Sequence, residues 1–221
     1  MTLENFENSL DKDLSWRKKE FSNLELLIQE KSNNISLSET LHRAAILLLY
    51  SHWEGHIKYC SRKYIEYINS QKHQCSELKD NFHQIMLGKH LSDQRISSLD
   101  GENIHHQKVL FSFFKEQMQA IFKINEEKTI STKSNLNYDT LSLILLQLGL
   151  EDENFETKKV FIDEKLLDGR NSIAHGNKQG KTTPKDLYTE IKTELLDMIE
   201  NFHHLIKESI SDQTYLKTTR E

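Results

Sequence analysis

Three residues that could bind a phosphate or move a proton lie close together in one stretch of the chain. Arg170, Asn171 and His175 belong to the segment FIDEKLLDGRNSIAHG, residues 161–176. The planar guanidinium of arginine presents several N–H donors that suit phosphate oxygens. The imidazole of histidine titrates near neutral pH and can act as a general base or acid. The segment therefore predicts a set of side chains suited to cleaving a phosphodiester.

The spacing around these three residues predicts the helix that carries them. Apolar or small residues recur at intervals of four, three and four, namely at Ile162, Leu166, Gly169 and Ile173. This repeat indicates one helical face packed on a core, and Gly176 follows where helices commonly end. At about 100° per residue, Asn171 and His175 lie about 40° apart on one face, whereas Arg170 lies about 140° from His175. Arg170 must therefore reach around the helix.

Two segments resemble a known superfamily. The string RNSIAHG, residues 170–176, resembles the Arg-x4-His motif at the end of a helix in HEPN proteins, a name that abbreviates "higher eukaryotes and prokaryotes nucleotide-binding". An earlier string, YSHWEGHIKY, residues 50–59, resembles the aromatic and acidic segment of one HWE-containing branch of the prokaryotic members. The order of the two segments and their helical setting also fit. The resemblance implies an all-α fold, an antiparallel helical bundle of the HEPN type.

Composition and periodicity independently favour an all-α fold. The chain has one proline and seven glycines in 221 residues, so residues that interrupt helices are few. A hydrophobic fraction of 36% with 29% charged residues is typical of long amphipathic helices with solvated outer faces. Periodicity predicts long helices at residues 2–31, 36–70 and 184–210, with shorter ones at 78–87, 106–124 and 139–150. The second long helix is predicted to begin with a capping box of Ser36 and Glu39 and to be the central, most buried one.

The domain organisation follows from the same pattern. We predict a single domain over residues 1–221, with a looser inserted region at about 71–105 that contains a loop and a short helix. Residues 91–103 and 125–137 are polar and are predicted to be loops. Residues 211–221 have little apolar content and are predicted to form a frayed tail.

Other polar residues of the long helices are predicted to have structural or surface roles. Glu54 is expected to pair with a cation across the bundle, with a supporting role in the site as the less favoured alternative. His52 and His56 are four residues apart, but HWEGH is not the HExxH motif and no third ligand is evident, so we predict no metal and no cofactor. The basic run at residues 17–19 is predicted to lie on the surface, with contact to an RNA backbone as the less favoured alternative. The histidine pairs 105/106 and 203/204 are also predicted to lie on the surface.

The charge of the chain restricts how it could contact nucleic acid. A formal net charge of −5 argues against broad coating of a polyanion, so any RNA contact is expected to be local. The best-placed lysines follow the motif directly, at Lys178, Lys181 and Lys185. We predict that they hold an RNA backbone, and a merely solubilising role is favoured equally.

The chain carries no sign of an oxidising or membrane location. Cys60 and Cys75 form neither a CxxC motif nor a disulfide framework, which favours a reducing compartment. No apolar run approaches the roughly 20 residues of a membrane span, and the N-terminus lacks the pattern of a signal peptide. We therefore predict a cytoplasmic protein with no membrane contact.

The resemblance also implies a function. HEPN proteins are usually dimers in which two motifs meet in one cleft, and many are metal-independent endoribonucleases of toxin–antitoxin, abortive-infection or other anti-phage defence systems. By this resemblance His175 would accept the proton of a ribose 2′-hydroxyl, Arg170 would stabilise charge on the scissile phosphate, and Asn171 would orient the substrate or the histidine. Cleavage would leave a 2′,3′-cyclic phosphate. The implied partners are RNA, a second copy of the chain, and an antitoxin or another defence protein.

Two further interpretations remain open. One is a non-catalytic HEPN-like module that binds a nucleotide or a protein and contributes dimerisation, and the other is a helical scaffold without a site. The enzyme is favoured because Arg170, Asn171 and His175 are all present together. One toxin subgroup of the superfamily is regulated through a tyrosine two residues after the motif histidine. This chain has Asn177 there, so that regulation is not expected.

Overall fold

The computed structural model describes residues 1–93, 104–133, 135–151, 153–176 and 182–217, and its regular elements are all helical. The α-helices are α1 (Leu3–Glu30), α2 (Ile35–Gln71), α3 (Asp80–Asp93), α4 (Ile104–Gln117), α5 (Glu126–Thr129), α6 (Tyr138–Leu148), α7 (Glu153–Glu156), α8 (Asp168–Ala174) and α9 (Pro184–Ser211). A 3₁₀ turn at Cys75–Glu77 and a π-helical segment at Phe161–Leu167 complete them. The predicted all-α fold is confirmed.

Helices α1, α2 and α9 form the body of the bundle. The first two run antiparallel, because the end of α2 returns to the start of the chain, where Gln71 Nε2 donates to the carbonyl of Met1 at 3.1 Å. Helix α9 runs parallel to α2, since the Tyr64 hydroxyl lies 2.9 Å from Ser209 Oγ while, nearer the start of both helices, the His42 and Tyr188 rings lie 5.5 Å apart. Helix α1 is therefore antiparallel to both neighbours.

Polar side chains cap the three long helices. Thr2 accepts a hydrogen bond from a backbone N–H of the first turn of α1, and Thr183 does the same for α9, whose first residue is Pro184. Helix α2 begins at Ile35, one residue before the predicted start, because Asn34 caps it by accepting from Leu37 N at 3.0 Å. The predicted capping box of Ser36 and Glu39 is wrong.

Helix α2 is the central helix, as predicted, and it contacts α1, α5, α6, α8 and α9. Its buried positions run from His42 to Ile68 and include Trp53 and Tyr64, both fully buried. Burial therefore continues well past Glu54, because α9 covers α2 along most of its length. None of the described helices is both long enough and apolar enough to cross a membrane.

Two segments predicted to be loose are packed. The described residues of 125–137 outside α5 are loop, as predicted, but Ile130, Thr132 and Leu136 are buried, so the segment is packed. Tyr215 is also buried, and its carbonyl accepts from Lys79 N at 3.0 Å, so the predicted fraying is wrong for residues 212–217. Buried apolar side chains anchor both segments to the core. Residues 218–221 and 94–103 lie outside the described part, and 91–93 belong to α3.

The motif segment combines two helical geometries. It begins with the π-helical turns, which bury Ile162 and Leu166, and continues as α8. Gly176 ends it in the left-handed conformation with φ +75°, as its position predicts. Arg170 and Asn171 thus lie within a short helix that packs on α2, and His175 directly follows that helix.

Candidate active site

The guanidinium of Arg170 is fixed by three neutral groups. Its Nη1 donates to Asn171 Oδ1 at 2.8 Å and to Asn135 Oδ1 at 3.2 Å. Its central carbon lies 5.0 Å from the centre of the Tyr50 ring, in a cation–π contact. Among the described residues, no acceptor is hydrogen-bonded to Nε or Nη2 of Arg170. The half-buried side chain of Arg170 is thus held in one orientation, and its Nε and Nη2 groups remain available to bind an anion.

Tyr50 and Glu54 lie one helical turn apart on α2, next to Arg170. The Tyr50 hydroxyl accepts from Leu136 N at 2.7 Å. Burial raises the pKa of Tyr50 to about 12, so its hydroxyl remains a donor near neutral pH. Glu54 accepts from the Thr132 hydroxyl at 2.6 Å. The predicted cation partner of Glu54 is wrong, because the partner that its carboxylate binds in the described structure is the Thr132 hydroxyl.

An open groove lies between α2 and α8 beside these residues. Its volume is about 550 Å³, within the size range of small-molecule and nucleotide sites. Tyr50, Glu54 and Lys58 project into it from one face of α2, because they are spaced four residues apart. Lys58 forms no ion pair with any residue that the structure describes. The complete lining is Leu47, Tyr50, Ser51, Glu54, Gly55, Lys58, Arg170 and Ala174.

His175 lies outside this groove. It is the first residue after α8, its side chain is exposed, and its backbone N donates to the carbonyl of Asn171 at 3.0 Å. In the described part of the chain, the imidazole makes no hydrogen bond with Arg170 or with Asn171. Within one chain, Arg170 therefore contacts Asn171 and Tyr50, whereas His175, the predicted general base, lies outside the groove. The roles assigned to these residues stay predictions.

The three predicted RNA-binding lysines are only partly described. Lys178 and Lys181 lie outside the described residues. Lys185 is exposed in the first turn of α9 and is not part of the groove lining. Lys58, which the sequence interpretation did not select, is the lysine that lines the groove. The spacing of Tyr50, Glu54 and Lys58 could have identified it, whereas Asn135 lies 35 residues before Arg170 and gave no local signal.

A second polar cluster lies on the other side of α2, and it corrects two predictions. Arg17 was expected on the surface, but its side chain is 8% exposed and donates two hydrogen bonds to the Asp13 carboxylate, at 2.7 and 3.0 Å. Arg17 Nη1 also donates to the carbonyl of His52 at 3.1 Å. His203 is likewise buried, with its Nε2 2.9 Å from Asp11 Oδ1. Both face the core because an acidic residue beside each of them offers a hydrogen-bond acceptor.

His52 and His56 do not face one shared ligand position. His52 Nε2 lies 2.7 Å from the Glu20 carboxylate, whereas His56 Nδ1 lies 2.7 Å from Asp13 Oδ2. Burial, assisted by the positive charge of Arg17, lowers the pKa of His52. The two histidines that the sequence places four residues apart thus bind different carboxylates of α1.

Comparison with known proteins was made at the level of families, of curated proteins and of solved structures. A family model described as RiboL-PSP-HEPN matches residues 12–211, which is most of the chain. Neither the comparison with curated proteins nor that with solved structures gave a match.

Proposed function

Because this chain belongs to the RiboL-PSP-HEPN family, and so to the HEPN superfamily, we propose that it is a metal-independent endoribonuclease. A nuclease or another RNA-related role is what membership supports at the level of the family. The finer assignment is that the chain cleaves RNA by attack of a ribose 2′-hydroxyl, within a prokaryotic toxin–antitoxin or anti-phage defence system. We propose this biological role because the string RNSIAHG resembles the motif of HEPN proteins from such systems.

The observation that carries the proposal is the state of Arg170. Its guanidinium lies at the edge of the groove, held by two amide oxygens and an aromatic ring, and no carboxylate among the described residues is hydrogen-bonded to it. A phosphate that entered the groove would supply the missing anion and could bind in a bidentate manner. Lys58 lines the same groove and would hold an adjacent phosphate of the backbone.

The reaction needs a general base close to this phosphate. In the proposed reaction, His175 takes the proton of the 2′-hydroxyl, and the resulting oxygen attacks phosphorus. The bond to the 5′-oxygen breaks and that oxygen takes a proton from water, leaving a 2′,3′-cyclic phosphate and a 5′-hydroxyl end. Arg170 stabilises the charge that develops on the phosphate oxygens. Asn171 acts as a positioning residue, because its amide oxygen fixes Arg170.

Two chains would bring these groups together. His175 is exposed outside the groove of its own chain, and HEPN domains commonly dimerise. We propose a homodimer in which His175 of one protomer meets the groove of its partner. The catalytic unit is then Arg170 from one chain with His175 from the other.

The first test is cleavage of RNA by purified protein without added divalent cations, in the presence of EDTA. Replacing His175 by alanine should lower the rate by about 10²–10⁴, and Arg170→Ala by about 10²–10³. His105→Ala is the matched control, because His105 is exposed on α4, which contributes nothing to the groove. Equal rates in the wild type and all variants would identify a contaminating nuclease and would refute the proposal.

Mixing two inactive variants tests the shared site. If Arg170 and His175 act across the dimer, Arg170→Ala mixed with His175→Ala restores one intact site in each mixed dimer. Random exchange makes half of the dimers mixed, each with one of two sites, so about a quarter of the wild-type rate should return. A mixture as inactive as its components would show that the site does not combine the two chains.

A second candidate function rests on the position of His175 outside the groove. A non-catalytic module would use Arg170 and Lys58 to bind a nucleotide or RNA without cutting it. In that case Arg170→Ala would weaken binding, His175→Ala would not, and no cyclic-phosphate product would form. Measurement of RNA affinity beside the cleavage assay separates the two functions.

A further inference from the structure

A group of metal-ligating side chains lies inside the bundle, away from the groove. His56 and Cys60 are four residues apart on one face of α2, and His203 faces them from α9. Their exposed fractions are 0%, 0% and 3%. One nitrogen of each imidazole and the Cys60 sulfur lie within 4.8 Å of one another, and the sulfur is 3.4 Å from His56 Nε2.

Each imidazole has one nitrogen occupied by a carboxylate of α1. Asp13 Oδ2 lies 2.7 Å from His56 Nδ1, and Asp11 Oδ1 lies 2.9 Å from His203 Nε2. The remaining nitrogens are therefore His56 Nε2 and His203 Nδ1. The latter is buried and has no hydrogen-bond partner within the described structure. Metal-bound histidines commonly show this arrangement, in which a carboxylate holds the nitrogen opposite the ion.

The protonation states also suit metal binding. Burial lowers the pKa of His56 and of His203, although the neighbouring carboxylates oppose the shift. Both imidazoles are therefore neutral near pH 7, which is the form that ligates metals. Burial raises the pKa of the Cys60 thiol, so the thiol keeps its proton unless a cation displaces it.

We propose that His56, Cys60 and His203 bind one zinc ion between α2 and α9. Zinc takes imidazole nitrogen at about 2.0–2.1 Å and thiolate sulfur at about 2.3 Å, so binding would draw the three side chains closer together than they are now. The Cys60 S–H proton passes to solvent as the Zn–S bond forms. Two imidazoles and a thiolate favour zinc over magnesium or calcium, which prefer oxygen ligands.

The ion is structural and has no part in RNA cleavage. It joins the two long parallel helices and gives His203 Nδ1 a partner that the described residues do not provide. None of its ligands lines the groove. A fourth position is left for water or another small ligand, as the described residues offer three ligands.

The site can be tested on the whole protein without an activity assay. Cobalt(II) added to protein freed of metal should give the visible bands of a tetrahedral ion and the near-ultraviolet band of a thiolate ligand. The chain has two cysteines, so Cys75→Ser is the matched control and should keep both bands. A thiolate band that persists in Cys75→Ser can come only from Cys60. Absence of the band from wild-type protein, or its loss in Cys75→Ser, would overturn the proposal.

A second measurement tests the histidine and the stoichiometry. We expect about one equivalent of zinc per chain by mass spectrometry after loading and desalting, and an upward shift of Tm with excess zinc. Cys60→Ser and His203→Ala should abolish both effects. Retention of stoichiometric zinc in either folded variant would refute the assigned ligands. If a variant does not fold, cobalt spectra of the wild type and Cys75→Ser still decide the question.

Discussion

Arg17 and Arg170 lie on different sides of α2 and make the same kind of aromatic contact, but they differ in the charge of their hydrogen-bond partners. Each guanidinium carbon is 5.0 Å from an aromatic ring centre, Trp16 for Arg17 and Tyr50 for Arg170. Arg17 is buried and bound by two hydrogen bonds to Asp13. Arg170 is half-buried, and its hydrogen bonds go to neutral amide oxygens. Among the described residues no carboxylate is bound to Arg170, and this is why we propose Arg170, and not Arg17, as the phosphate-binding residue.

The comparison also separates stability from function. The side chain of Arg17 is buried, and its charge is paired with Asp13 within one chain. The groove at Arg170 is open, and its proposed base lies on another protomer. Changes near Arg17 should therefore lower stability, while changes near Arg170 should lower activity.

The largest expected effect on stability comes from Arg17→Ala. This variant leaves the Asp13 carboxylate, which is 12% exposed, without its arginine, and loss of one partner of a buried ion pair costs about 3–5 kcal/mol. Arg170→Ala removes hydrogen bonds to neutral amides and should cost about 1 kcal/mol. Urea unfolding without metal measures both free energies. Equal losses in the two variants would remove the distinction between the two arginines.

A smaller effect is expected from Tyr50→Phe. The ring remains beneath Arg170, but the buried N–H of Leu136 loses its acceptor, which costs about 1–3 kcal/mol. Tyr59→Phe is the matched control, because among the described residues the Tyr59 hydroxyl makes a single long hydrogen bond, 3.4 Å to the carbonyl of Ser9. Thermal unfolding measures the stability of both variants. A Tyr59→Phe variant as unstable as Tyr50→Phe would contradict this account of the hydroxyl.

The smallest effects should come from two helical glycines. A Cβ at Gly55 would lie 3.0 Å from Arg17 Nη1, which its hydrogen bonds hold in place, and overpacking of this kind should outweigh the gain in helix propensity by about 1 kcal/mol. A Cβ at Gly169 would lie 3.0 Å from Leu187 Cδ2, the end of a flexible side chain. Gly169→Ala should therefore be neutral or stabilising by up to about 1 kcal/mol. Chemical denaturation measures the free energy of unfolding of both variants. A lower value for Gly169→Ala than for Gly55→Ala would contradict the prediction.

The long helices could be predicted from sequence because each has a repeating apolar stripe and clear end signals. The positions of α1, α6 and α9 follow from that pattern, including the glycine after α6 at Gly149 and the proline at the start of α9. The start of α2 could not be placed, because Asn34 and Ser36 are both good caps and local sequence does not choose between them. The packing of residues 125–137 depends on distant partners.

The candidate site was predictable only where its contacts are local. Arg170 bonds to the adjacent Asn171, but its other partners come from remote parts of the chain. The helical spacing of α1 places Arg17 on the buried stripe between Leu10 and Phe21, although a charged residue is usually assigned to the surface. His203 similarly falls between the buried Ile199 and Ile206 at helical spacing. Periodicity indicated burial at both positions, whereas charge and polarity argued for the surface.

One turn of α2 contributes to both sides of the molecule. Glu54 lines the groove, Gly55 lies against the Arg17 guanidinium, and His56 faces α9. Inserting or deleting one residue in this turn would rotate all that follows by about 100° and misplace both sets of side chains at once. The length of α2 between residues 50 and 60 is therefore constrained both by the groove and by the contacts with Arg17 and α9. We expect that the fold does not tolerate insertions within that interval.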